Sequence, residues 1–293
     1  MPFLLVANPG ARSSDDLARR AEDHLDDVRR VELREGLDLR GEIERAVAEA
    51  RTVVACGGDG TVHALAQHLA GGDGVLGVLP GGTLNHFARD LGVRRPEIAL
   101  ETLRTGTARA VDVGRAGEHV FVNNLTLGVY PELVQQRERT EHRWGRWIAA
   151  SVAAVSVLRG LEPLVGTIAA DGDARQLEAV LVFVGNNRYS RKARSVGRRE
   201  RLDEGVLDVR VIRTRRGMRA RAGIALRLLR VRRPSRVVGT TAETVEIELA
   251  VGSHPIALDG EPDERTATIH IQIEPRALRV LAPAPSGDRT ALP

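Results

Sequence analysis

A single cysteine, Cys56, rules out a disulfide framework and a cysteine-based zinc site, and it fits a reducing compartment. Lysine is equally scarce: Lys192 is the only one, and no GxxxxGK[ST] loop or kinase strand lysine is present. Aromatic residues make up only 3% of the chain, so there is no stacking platform for single-stranded nucleic acid and the core must be aliphatic. Long apolar runs are missing too. The N-terminal run Phe3 to Ala7 is too short for a signal peptide or a membrane span, and Trp147 to Leu158 reads as a packed core helix. The expected location is cytosolic.

What is abundant is alternation. Short apolar runs at Phe3 to Ala7, Val28 to Leu33, Thr52 to Cys56 and Val75 to Leu79 read as strands buried on both faces. Helical spacing separates them, at about Asp15 to Asp27, Gly41 to Ala50 and Val62 to Ala70. This predicts an α/β domain over residues 1–112, with a parallel sheet covered by helices. A mostly antiparallel β-sandwich-like domain is expected over 113–283, with a flexible tail at 284–293. Its strands are expected at Ala108 to Arg115, His119 to Leu125, Leu164 to Ala170, Leu177 to Val184, Gly205 to Arg213, Val237 to Leu249 and Arg265 to Ile273. Helices are expected at about Pro131 to Arg159 and Arg216 to Val231.

The motif GGDGT, Gly57 to Thr61, lies where a strand turns into a helix. Glycines there let backbone N–H groups approach phosphate oxygens, and the helix N-terminus adds partial positive charge. A carboxylate among phosphates repels them, so Asp59 is expected to hold a divalent cation. The plain alternative is a tight turn with Asp59 as an N-cap. A second glycine turn, PGGTLNHFARDLG from Pro80, leaves the same edge of the sheet, so both loops should face one crevice. There Gly82 permits close approach, Thr83 can bond a phosphate or ribose, and Asn85 can cap the next helix. Late in the chain, LDGEP projects Asp259 and Glu261 from a glycine turn, a suitable source of a general base. The alternative reading is a DG hairpin with a solvated Glu261.

With Asn8 and Pro9, GGDGT, PGGTLNHFA, NNLTLGVYPELV, GNNRY, RLDEGVLDV and ALDGEP in this order, the sequence resembles the diacylglycerol kinase catalytic-domain family, which includes bacterial lipid kinases and sphingosine kinases. The resemblance implies ATP-dependent transfer of the γ-phosphoryl group to diacylglycerol or a similar lipid alcohol, in an interdomain cleft and within phospholipid metabolism. It implies ATP contacts at Asn8, Pro9, Gly57, Gly58, Asp59, Gly60, Thr61, Gly82, Thr83 and Asn85, with Glu261 as proton acceptor shaped by Asp259. It also implies Mg2+, with Glu204 and the carbonyls of Arg201 and Val206 as a structural metal site. The sequence departs from the family at NPGAR, where Arg12 is placed to pair with phosphate, at Glu204, which replaces the usual aspartate, and at His63, a position that is frequently asparagine. An NAD kinase-like enzyme and a catalytically impaired lipid-binding homologue are the competing readings.

Between Arg210 and Arg236 there is no acidic residue, and Met218, Ala222, Ala225 and Leu229 fall at helical spacing among arginines. That pattern suits peripheral contact with an anionic membrane, the plain alternative being a solvated helix face whose apolar stripe packs on the β domain, and it favours either over nucleic-acid binding.

Overall fold

The aliphatic runs form a parallel sheet, as their double-sided apolar character demands. The computed structural model describes residues 2–11, 13–128, 163–190, 197–213, 237–250 and 252–284. In it β1 (Phe3–Ala7), β2 (Val28–Glu32), β3 (Thr52–Gly57) and β4 (Val75–Pro80) lie in the order β2, β1, β3, β4, all parallel. Every residue of β1 and β3 is buried, whereas β2 is the edge and carries Arg29 and Arg30. Charge on an edge strand discourages pairing with another chain. The helices are α1 (Ser14–His24), α2 (Leu39–Ala48), α3 (Asp59–Leu69), α4 (His86–Leu91) and α5 (Pro96–Thr105). The last has Pro96 at its start, where the missing N–H costs nothing.

The remaining strands are β5 (Thr107–Ala116), β6 (His119–Phe121), β7 (Asn124–Gly128), β8 (Leu164–Ala170), β9 (Asp173–Asn186), β10 (Leu207–Arg213), β11 (Val237–Ala242), β12 (Thr244–Leu249), β13 (His254–Leu258), β14 (Glu261–Thr266) and β15 (Thr268–Ala282). They pair antiparallel with one another, and among the described strands β15 pairs with strands of both halves. Its first part pairs with β12, and Arg279 and Val280 pair in parallel with Val75 and Leu76 of β4. Ile269, Ile271 and Ile273 accordingly belong to the second hydrophobic core, while Leu278, Val280 and Leu281 belong to the first. At the crossing, β15 shifts register against β5 between Glu274 and Leu278, and buried Asp112 accepts from the N–H groups of Arg276 and Gly205 at 2.8 and 2.7 Å.

Two single strands expected from the sequence are each two. The run from His119 breaks at residues 122–123. The run from Val237 breaks at Glu243, because Asp171 Oδ1 takes the N–H groups of Glu243 and Thr244 and turns the chain from β10 toward β15. Helix α5 was not anticipated, and the hairpin β13–β14 is the DG hairpin named as the alternative reading of LDGEP. The expected helices at 131–159 and 216–231, and most of the tail, lie outside the described residues. Among the described residues, no helix is long and apolar enough to cross a membrane.

Candidate functional site

The two glycine turns touch backbone to backbone. Gly81 N–H donates to Gly57 O at 2.8 Å, and a Cβ on Gly82 would sit 2.5 Å from Gly58 Cα. No side chain fits between them, so the glycines are required by packing as well as by the ligand chemistry they permit. A Cβ on Gly57 would lie 2.3 Å from the Thr61 hydroxyl. Thr61 is itself buried and accepts from Asn8 Nδ2 at 3.3 Å, so its side chain braces the β1 and β3 ends. Asn8 Oδ1 takes Gly10 N–H at 2.9 Å, which closes the NPG turn. Pro9 and Thr83 are exposed, and Arg12 lies outside the described residues.

Asp59 is the first residue of α3, with Gly58 as its N-cap. Its carboxylate accepts from His86 N–H at 3.0 Å and Phe87 N–H at 3.1 Å. It therefore caps α4 from across the loop. The cap expected from Asn85 is not made: Asn85 adopts φ 48° and exchanges hydrogen bonds with Gly82, donating to its carbonyl at 2.7 Å and accepting its N–H at 3.1 Å. Asp59 and Asn85 together lock PGGTLN against GGDGT.

LDGEP is a two-residue hairpin with Asp259 at φ 54° and Gly260 at φ 92°, the pair of positive angles that a type I′ turn needs. The Asp259 side chain is fully buried. Oδ2 accepts from Val122 N–H at 2.9 Å, and Oδ1 accepts from Asn123 and Asn124 N–H at 2.6 and 3.0 Å. The fourth contact is His63 Nδ1, 3.0 Å from Oδ2. Asp259 is thus coupled to His63 and to the turn at 122–124.

Glu261 reaches α3 directly, since a Cβ on Gly60 would lie 2.5 Å from Glu261 Oε1. One face of α3, formed by Gly60, His63 and Gln67, therefore meets the antiparallel half. Gln67 completes it by donating to Glu118 O at 2.8 Å and accepting Val120 N–H at 2.7 Å. Spacings of three and four residues place these side chains in line. Burial lowers the proton affinity of His63. The hydrogen bond and charge of Asp259, with the charges of Glu261 and Asp263, outweigh it and raise its pKa above the ordinary histidine value.

Arg199 fixes the same corner from behind. Wholly buried, it donates to Asp90 at the end of α4 at 3.0 Å, to the carbonyls of Val122 and Asn186 at 2.5 and 3.1 Å, and to Asn123 Oδ1 at 2.8 Å. It also lies 5.4 Å from the centre of the Tyr189 ring, whose hydroxyl donates to Asn123 O at 3.0 Å. Burial holds the Tyr189 phenol above its ordinary pKa. Asp90, Arg199, Tyr189 and Asn123 had no role assigned from the sequence, although NNLTLG and GNNRY drew attention to two of them.

The residues offered for a structural metal already make contacts within the protein. Glu204 Oε2 takes Arg188 N–H at 3.2 Å with the Arg188 guanidinium 3.7 Å away, and the Val206 carbonyl accepts Asn187 N–H at 2.9 Å. The Arg201 side chain pairs with Asp203 at 3.0 Å. Among the described residues, no group of three or more His, Cys, Asp or Glu side chains could hold a metal ion.

A parallel α/β layer whose glycine turns face a carboxylate hairpin on an antiparallel layer defines the NAD kinase/diacylglycerol kinase-like fold class. Residues 2–116 match the diacylglycerol kinase catalytic domain, and residues 128–282 match the YegS C-terminal NAD kinase beta sandwich-like domain. The chain belongs to the diacylglycerol kinase catalytic-domain family, in its YegS-like branch. A Pseudomonas aeruginosa PAO1 protein named "Probable lipid kinase YegS-like" is 30% identical over 260 residues, covering 85% of this chain and 82% of that one. A Bacillus subtilis 168 diacylglycerol kinase is 30% identical over 174 residues, 58% of this chain and 57% of its own. A solved structure from Bacillus anthracis Sterne, described as a candidate diacylglycerol kinase, has a TM-score of 0.72 at 21% identity, with 96% of each chain covered.

Proposed function

We propose that this chain is an ATP-dependent lipid kinase that transfers the γ-phosphoryl group to the hydroxyl of diacylglycerol or a similar lipid alcohol. The observation that supports this reading is the Glu261 carboxylate lying over Gly60 of the phosphate-type turn, a position suited to a proton acceptor. Backbone N–H groups at the GGDGT turn and the N-terminus of α3 bind the donor phosphates, with the PGGTLN turn packed beside them. The Thr83 hydroxyl is exposed beside them. Asn8, Thr61, Asp59 and Asn85 serve this cradle by holding its backbone in shape. The donor enters as its magnesium complex, so the divalent cation arrives as part of the substrate. In the transfer, Glu261 takes the acceptor hydroxyl's proton while that oxygen attacks the γ-phosphorus.

The relatives' names support a lipid acceptor, and the arginine-rich stretch 210–236 supports peripheral docking on an anionic membrane. Most of that stretch lies outside the described residues, so liposome co-sedimentation with and without anionic lipid is its direct check. The kinase reading is tested by transfer of radiolabelled phosphate from ATP to extracted total lipid, followed by identification of the product. A labelled lipid carrying a phosphomonoester is expected. Labelled NADP from NAD, with no labelled lipid, overturns the lipid assignment.

A further inference from the structure

The cleft contains a histidine that the transfer described above does not use. His63 sits one turn beyond Gly60 on the face of α3 that Glu261 covers, and its side chain is 18% exposed. Its tautomer follows from its partner. Asp259 already receives three backbone N–H groups, so its oxygens act as acceptors throughout, and Nδ1 must carry the hydrogen in the fourth contact. Nε2 makes no hydrogen bond to a described residue and is the ring atom left for a ligand.

The charge balance of this corner says what that ligand requires. Among the described residues, the charges that raise the proton affinity of His63 are carboxylates: Asp259 on its hairpin, with Glu261 and Asp263 on the strand that follows. A proton acceptor made of carboxylate repels an incoming phosphoryl group, and a protein cation beside it adds to the donor's magnesium in offsetting that repulsion. Lys192 and Arg12 lie outside the described residues, whereas His63 lies against the hairpin that carries the base.

We infer that the imidazolium of His63, oriented by Asp259, is a further catalytic residue whose Nε2–H donates to an oxygen of the γ-phosphoryl group during transfer. The inference rests on the kinase reading and assigns a second group within its site. The acceptor oxygen forms its bond to γ-phosphorus as the bond from γ-phosphorus to the bridging oxygen breaks. The electron pair of that bond leaves with ADP, and the hydroxyl proton goes to Glu261. His63 enters and leaves the step as imidazolium. Its neighbours favour that state, since together they hold its pKa above the ordinary histidine value.

The test is an NMR titration of the His63 ring in the full chain, with the resonance assigned by its loss in His63→Gln. It is run with and without a non-hydrolysable ATP analogue whose binding is measured by calorimetry. The analogue is expected to raise the titration midpoint by about one unit, a tenfold shift in protonation. In parallel, kcat of the wild type should fall on the alkaline side as His63 deprotonates. His63→Gln should lose that limb and run on the order of 100-fold slower. Binding of the analogue with an unmoved His63 midpoint overturns the inference and leaves the kinase reading standing. An alkaline limb and full kcat retained in His63→Gln also overturn it. Failure of the analogue to bind overturns both.

Discussion

His63 donates through Nδ1 to Asp259 Oδ2 at 3.0 Å, joining residues 196 positions apart and fastening α3 to the hairpin that carries Glu261. The contact is ionic only while the imidazole is protonated, which makes the seam between the two halves sensitive to pH. A histidine whose folded pKa is raised adds stability that is complete below its unfolded value and is lost as pH rises through the folded one. The denaturant midpoint should therefore fall as pH rises above the ordinary histidine value in the wild type and fall less in His63→Gln. Equal slopes in the two proteins would show that the contact does not stabilise the fold.

Asp259→Asn tests the other partner. Asparagine tolerates the left-handed backbone at this position, so no backbone strain is introduced. Its amide group would face N–H donors, however, and about 1–3 kcal/mol of stability should be lost in urea unfolding.

Gly60→Ala separates activity from stability. Position 60 is helical and alanine favours a helix over glycine by about 1 kcal/mol, so thermal stability should hold or rise. The new methyl would lie 2.5 Å from Glu261 Oε1 and push the carboxylate aside, so phosphate transfer should be lost. An active Gly60→Ala enzyme would remove Glu261 from the reacting centre.

For Asp59 the expected signature is different. Asp59→Ala leaves two N–H groups of α4 uncapped, so loss of activity should come with a stability loss of about 1–2 kcal/mol. Activity lost at unchanged stability would instead point to direct contact between Asp59 and the donor or its cation.

Arg199→Met should be the most damaging change to the fold, costing about 3–5 kcal/mol in denaturant unfolding. It removes one of the two guanidinium partners of buried Asp90, leaving Arg89 at 3.2 Å, and takes from the 122–124 turn one anchor beside those of Asp259, Asn186 and Tyr189.

How much was legible in the sequence depended on range. Strands β1, β3 and β4 were readable because apolar runs bounded by glycine and polar residues admit few alternatives. GGDGT and LDGEP were recognisable because glycine spacing leaves a local trace. The partner of Asp259 was not readable: it sits on α3, and register between distant elements leaves no local pattern. Asp59 was read as a cation ligand because a carboxylate among phosphates suggests one, yet both of its oxygens meet amides of a helix that begins 27 residues later. Arg199 carries no local signal in the sequence, and only the fold shows it wholly buried against Asp90.

The central claim is that Glu261 accepts the proton of a lipid hydroxyl at an ATP site. Glu261→Gln keeps the size of the side chain and removes its basicity. Measured with γ-labelled ATP and extracted lipid, this variant should bind nucleotide as the wild type does and transfer no label. Wild-type transfer by purified Glu261→Gln would contradict the account.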